Sequence, residues 1–127
     1  MKKLYLLFSH TLTPHQKSDA YTMFKVDCFE PLPHKLQMLW SNIPPDIENI
    51  ANYLAPLKVY LKENFNKGDI ALIQGDFGAT CHMVRFIKEL EGTPIYATTE
   101  RKVKEYVDGG KVIRRSIFEH VRFRKYL

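Results

Sequence analysis

Cysteine is scarce in this 127-residue chain: Cys28 and Cys81 are the only two. With no C-x-x-C pair and no histidine cluster beside them, they indicate neither a disulfide framework nor a zinc site, and both are expected to be buried, reduced thiols. Long apolar runs are missing as well. Met1-Lys2-Lys3 precedes only Leu4 to Phe8 before Ser9-His10 interrupts. That stretch is too short for the core of a signal peptide and far below the ~20 residues of a membrane span, so the chain is expected in the cytoplasm without a membrane partner. Two nucleotide signatures are absent too. There is no G-x-G-x-x-G fingerprint and no phosphate loop with Gly-Lys-Ser/Thr, so NAD binding and ATP hydrolysis lack their usual signals. The five histidines, His10, His15, His34, His82 and His120, show no paired ligand spacing, and Asp76 has no second carboxylate near it in sequence. Neither a metal nor a cofactor is expected.

What is present fits one ordinary globular domain over residues 1–127. Hydrophobic residues make up 45%, charged residues 26% and aromatics 13%, which argues against disorder, and the length suits a single core. The net charge of +5 is unevenly placed: residues 101–127 hold nine Lys and Arg against three acidic residues, whereas residues 1–100 hold ten against eleven. Such a basic segment either draws polyanions or forms a solvated strand face.

The order of elements reads β-α-β-α-β-α-β followed by a hairpin. Leu4 to Phe8 is apolar throughout, as a central strand would be, and Thr13-Pro14-His15-Gln16 has the spacing of a capping box with proline at the first helical position. A second strand is expected over Lys25 to Phe29, ended by Pro31-Leu32-Pro33, which should prevent regular pairing. A weakly helical segment, His34 to Trp40, follows. Ile47, Ile50, Leu54, Leu57 and Leu61 then keep a helical period that Pro56 should split. Asp69 to Ile73 is a third strand, and Met83, Phe86, Ile87 and Leu90 mark the next helix. Ile95 to Thr98 is expected as the fourth strand. The turn Asp108-Gly109-Gly110 leads to a return strand, Lys111 to Phe118, with a separate short strand around Val121 and Phe123. The fold class is α/β: a Rossmann-like three-layer sandwich, mostly parallel, with a C-terminal antiparallel hairpin.

Parallel strands present their carboxyl ends to one side, so three segments are expected on one rim. They are Ser9-His10-Thr11, Gln74 to Thr80, and Thr98-Thr99-Glu100-Arg101-Lys102. Gly75 and Gly78 allow close backbone approach, Ala79-Thr80 opens a helix whose free amides favour phosphate, and Phe77 could stack on a base. Asp76 or Thr80 could equally serve as a simple cap. Ser9 and His10 could donate to phosphate or move a proton, but neighbours on a strand end face opposite ways, so one of them is expected to pack. Arg101 and Lys102 are either stabilisers of a charged transition state or surface charges of the hairpin.

With LYLLFSHTLT at the start, LWSNIPP in the middle, LIQGDFGAT at the third strand, and YATTERK and VRFRKY near the end, the chain resembles the small stand-alone CARF-domain ring nuclease family of type III CRISPR systems. The resemblance implies a Rossmann-like homodimer that holds a cyclic oligoadenylate messenger, usually cyclic tetra-adenylate, across the subunit interface and cuts it to linear products. It implies metal-independent chemistry in which a ribose 2′-hydroxyl attacks its own 3′ phosphodiester and leaves a 2′,3′-cyclic phosphate. On that resemblance Ser9, His10, Arg101 and Lys102 are the expected catalytic residues. Thr11, Gln74, Gly75, Asp76, Phe77, Gly78, Ala79, Thr80, Thr98 and Thr99 are the expected ligand contacts. The alternatives are a sensor or sponge that binds without cleaving, and a nucleic-acid binder using the basic tail.

Overall fold

A computed structural model describes residues 1–127. Five strands form one sheet in the order β2-β1-β3-β4-β5: β1 is Lys3–Leu7, β2 Cys28–Pro31, β3 Ile70–Ile73, β4 Thr93–Asp108 and β5 Lys111–Lys125. The first four run parallel, and β5 returns antiparallel to β4. The helices are α1 (Pro14–Phe24), α2 (His34–Ser41), α3 (Ile50–Tyr53), α4 (Ala55–Asn64) and α5 (Phe77–Glu89). The expected α/β sandwich with its antiparallel hairpin is therefore the observed one. No helix is long and apolar enough to cross a membrane.

The alternation of side chains along β1 and β3 divides the core between two faces. Tyr5, Leu7, Ala71 and Ile73 point into a cluster with Trp40, Leu57, Leu61, Met83 and Ile87 from α2, α4 and α5. Leu4, Ile70 and Leu72 point the other way, toward Ala20 of α1 and toward Ile95 and Phe123. Helices on both faces bury the two central strands almost completely, which explains their unbroken apolar sequences.

Local chemistry sets the helix ends. Thr13 and Gln16 form the reciprocal capping box, Gln16 N to Thr13 Oγ1 at 3.1 Å and Thr13 N to Gln16 Oε1 at 2.9 Å, so Thr13 is a cap. The period that Pro56 interrupts is carried by two helices meeting at Leu54, with Pro56 in the first turn of α4 where its missing N–H costs nothing. Asp76 caps α5 by accepting from Ala79 N at 3.0 Å.

Several expectations are corrected. The second strand begins at Cys28, because Lys25 closes α1 in the left-handed conformation (φ 55°) and cannot start a strand there. Pro31 does pair, opposite Leu6, since β2 is an edge strand where a missing N–H is tolerated. The fourth strand does not stop at Thr98. It runs on to Asp108, and the return strand and the short strand expected after it are one strand, β5, with a register shift opposite Thr98/Thr99 that leaves Val121 unpaired. Neither cysteine is buried: Cys28 is half-buried and Cys81 exposed.

Candidate functional site

The chain reverses direction across the sheet between β1 and β3. After β1 it crosses to β2 on one side, and it then returns past β1 to β3 and continues to β4. Open α/β sheets bind ligands outside the carboxyl ends of the strands at such a switch point. Here those ends lead into Phe8–Thr11 and Gln74–Thr80.

The segment after β1 forms one wall of a notch of about 450 Å³, completed by Lys17 of α1, Phe29 and Pro31 of β2, and Gln37 and Ser41 of α2. Ser9, His10 and Thr11 all line it. The expectation that only one of Ser9 and His10 would face the crevice is corrected, because the strand has ended at Leu7 and both residues lie in a bend where strand alternation no longer applies. Gln37 Nε2 donates to the Phe8 carbonyl at 3.1 Å and to Ser41 Oγ at 2.9 Å, and Ser41 Oγ is 3.0 Å from Ser9 Oγ. The relay orients the Ser9 hydroxyl from below while leaving it exposed. His10 stands edge-on to Phe8 with ring centroids 5.3 Å apart.

The segment after β3 lines a second notch of about 340 Å³, formed by Gln74, Gly75, Phe77, Thr80, Tyr96 and Tyr126. Phe77 is 95% exposed, an unusual position for a phenylalanine in the first turn of a helix. Tyr96 and Tyr126 lie 4.8 Å apart, and the Arg124 guanidinium sits 6.0 Å from the Tyr96 ring centre. Tyr126 donates to the Ile73 carbonyl at 2.6 Å, and burial, with Tyr96 beside it, pushes its phenol above the usual range. It is a donor at every physiological pH. Three aromatic rings and a guanidinium make a surface on which a planar base can stack.

Between the two notches sits Trp40. It is 2% exposed, lies against Gly75, where an added Cβ would come within 3.1 Å of the indole, and donates to the Gln74 carbonyl at 3.1 Å. The two notches share no lining residue. Gln74 stitches the rim together: its N–H donates to the Leu7 carbonyl at 3.0 Å and its Oε1 accepts from Ala97 N at 2.8 Å, which leaves its side-chain nitrogen for a ligand.

The remaining expected residues differ in kind. Ala79 is fully buried and Asp76 is spent on the cap, so neither side chain is offered outward. The Asp76 carboxylate also places negative charge where the first amides of α5 would otherwise attract phosphate. Gly78 is open, its nearest neighbour to an added Cβ being Asp76 Oδ2 at 3.5 Å. Thr80 Oγ1 is buried without a hydrogen-bond partner. Thr98, Thr99, Arg101 and Lys102 are not in a loop at all but in β4, and none lines either notch. Thr98 Oγ1 donates to the Arg122 carbonyl at 3.0 Å, Arg101 donates to Ser116 Oγ at 2.9 Å, and Lys102 pairs with Glu119 at 3.0 Å. That pairing raises the lysine pKa and lowers the glutamate one.

Lys17, Gln37, Ser41, Tyr96, Arg124 and Tyr126 are the side chains sequence reasoning missed. Gln37 and Ser41 share a helix face by their i, i+4 spacing, which could have flagged them. The tyrosines carried no such signal.

The sequence matches the family described as the Uncharacterized protein MJ1673 family over residues 2–124. It is 52% identical over 126 residues to the Uncharacterized protein MJ1673 of Methanocaldococcus jannaschii, covering 99% of this chain and 98% of that protein. No solved structure matches it.

Proposed function

We propose that this chain, which belongs to the MJ1673 family, is a metal-independent ring nuclease for cyclic oligoadenylate, with cyclic tetra-adenylate as the substrate to test first. The carrying observation is the pair of dissimilar notches at one switch point. One offers hydroxyls, an imidazole and a lysine in Ser9, Thr11, His10 and Lys17, and the other offers exposed and half-exposed aromatic rings. A ribonucleotide has the same two halves, a sugar-phosphate and a base. With Asp76 disfavouring phosphate at α5, the phosphodiester belongs beside Ser9 and Lys17 and a base against Phe77 and Tyr96.

Attack by a ribose 2′-hydroxyl asks the protein to hold the ribose in line and to stabilise a phosphorane. Ser9, steadied through Ser41 and Gln37, and Lys17 suit the second task, and His10 suits proton transfer. A two-fold dimer would let each copy hold half of a symmetric ring. Signalling by a type III CRISPR system would be switched off by such cleavage.

Incubation with cyclic tetra-adenylate in EDTA, followed by chromatography, tests the reading. Linear products ending in 2′,3′-cyclic phosphate, reduced by Ser9→Ala and Lys17→Ala, are expected. An intact ring after prolonged single-turnover incubation rejects the enzyme. One observation favours a sensor or sponge as the second reading: Arg101 and Lys102 are engaged with Ser116 and Glu119, so the rim has fewer cations than the resemblance implied. Tight binding with no cleavage would establish that reading.

A further inference from the structure

Helix α1 is held to the sheet by little apolar surface. Of its eleven residues only Gln16 and Ala20 are buried, Gln16 spends its side-chain oxygen on the Thr13 cap, and Ala20 offers a single methyl group. Met23 and Phe24 reach the core at the far end of the helix, and Leu12 does so just ahead of its first turn. Apolar contact is non-directional and leaves a helix free to roll.

A buried polar pair supplies the direction. His120 of β5, its side chain 3% exposed, places Nε2 2.8 Å from Asp19 Oδ2 of α1, and because an ionised carboxylate only accepts, Nε2 is the donor. His15, one turn before Asp19 on the same helix face, sets its ring edge-on to His120 with centroids 5.1 Å apart, and the buried Phe123 ring packs on His120 at 4.7 Å. His120 Nδ1 is left buried with no hydrogen-bond partner. Stability alone would favour an apolar ring at this place, since exchanging a buried pair for well-packed hydrophobic groups is often neutral or favourable. What the pair adds is a fixed angle for the helix.

Lys17 lies two residues before Asp19, about 200° round the helix, and lines the notch with Ser9, His10 and Thr11. The face that grips the sheet therefore sets where the other face aims. We infer that Asp19 and His120 are positioning residues that aim Lys17 at the phosphodiester, an assignment that rests on the ring nuclease reading for its substrate. Neither lines a notch, so both act through the helix.

Two measurements on the full chain test it, one with the ring and one without. Asp19→Leu/His120→Phe replaces the pair by apolar groups and should melt within about 5 °C of the unaltered protein. Its single-turnover cleavage of saturating cyclic tetra-adenylate in EDTA should fall about tenfold or more, while the half-saturating concentration moves less than about threefold. Asp19→Asn, which keeps an acceptor oxygen, should stay within about threefold of the full rate. In a Lys17→Ala background the apolar pair should slow cleavage no further. Without ligand, the amides of residues 14–19 should exchange about tenfold faster in the double variant, with β1 and β3 unchanged. Undiminished cleavage by the double variant, an equal loss of rate with and without Lys17, or unaltered exchange in α1 would each overturn the inference. A ring left intact by the unaltered protein rejects the nuclease and with it the role of the pair in catalysis, whereas faster exchange in α1 would still show the pair fixing the helix.

Discussion

The central strands and the terminal ribbon are made of similar residues and live under opposite conditions. In β1 and β3, Leu4, Tyr5, Leu7 and Ile70 through Ile73 are at most 1% exposed, covered by helices on both faces. In the ribbon, Val103, Val107, Val112 and Phe118 remain about half exposed or more, although β propensity and alternation are as good there. Burial comes from what the connections carry: α-helical crossovers roof the parallel half, whereas the two-residue turn at Gly109-Gly110, both at positive φ, brings no cover with it. The first region is finished within one chain, and the second is left open to water.

The sharpest way to probe this contrast is Trp40→Ala. The indole fills the space between the two notches and bonds to Gln74, so urea denaturation should show a loss of about 3–5 kcal/mol. Val112→Ala in the protomer should stay within roughly 0.5 kcal/mol. Similar costs at both sites would erase the distinction. Gly92→Ala comes next. Its Cβ would collide with the Phe65 ring, which is itself 8% exposed, and the overpacking should cost about 1–3 kcal/mol in the same measurement.

A smaller effect separates binding from folding. Gly78 is helical and open on its outer side, so Gly78→Val should change stability by no more than about 1 kcal/mol. Under the proposed function it should weaken cyclic tetra-adenylate binding about tenfold in calorimetry, ~1.4 kcal/mol. Equal losses would reduce Gly78 to a structural part of α5.

The smallest effect is electrostatic. His82 is half-buried and Lys58 Nζ donates to its Nε2 at 3.1 Å. Burial first, then the charges of Lys58 and Arg85, hold its pKa below the ordinary 6.5. The unfolded chain therefore takes up this proton before the folded one. The contribution to stability is present above pH 6.5 and declines as pH falls toward the folded value. Proton NMR should find His82 titrating below the ordinary 6.5; a midpoint above it would contradict the geometry.

How much of this was legible in the sequence follows the same division. Buried strands such as Ile70 to Ile73 read plainly as apolar runs, and Thr13-Pro14 and Asp76 announced their helices through capping chemistry that depends on neighbours only. The continuation of β4 through Thr98 to Asp108 was not legible, because Thr-Thr-Glu-Arg-Lys reads as a loop unless its cross-strand partners are known, and Arg101 and Lys102 were assigned to the rim for that reason. In the site, Ser9 and Gln74 through Thr80 could be located from the strands they follow. The tyrosines could not, since they reach the rim from distant positions through packing alone.

Hydrogen exchange with and without cyclic tetra-adenylate tests most directly whether the switch-point rim is where the ligand acts. The expected result is added protection at Phe8–Thr11 and Gln74–Thr80 with the ribbon amides of residues 101–118 unchanged. Protection confined to the ribbon, or none at saturating ligand, would contradict it.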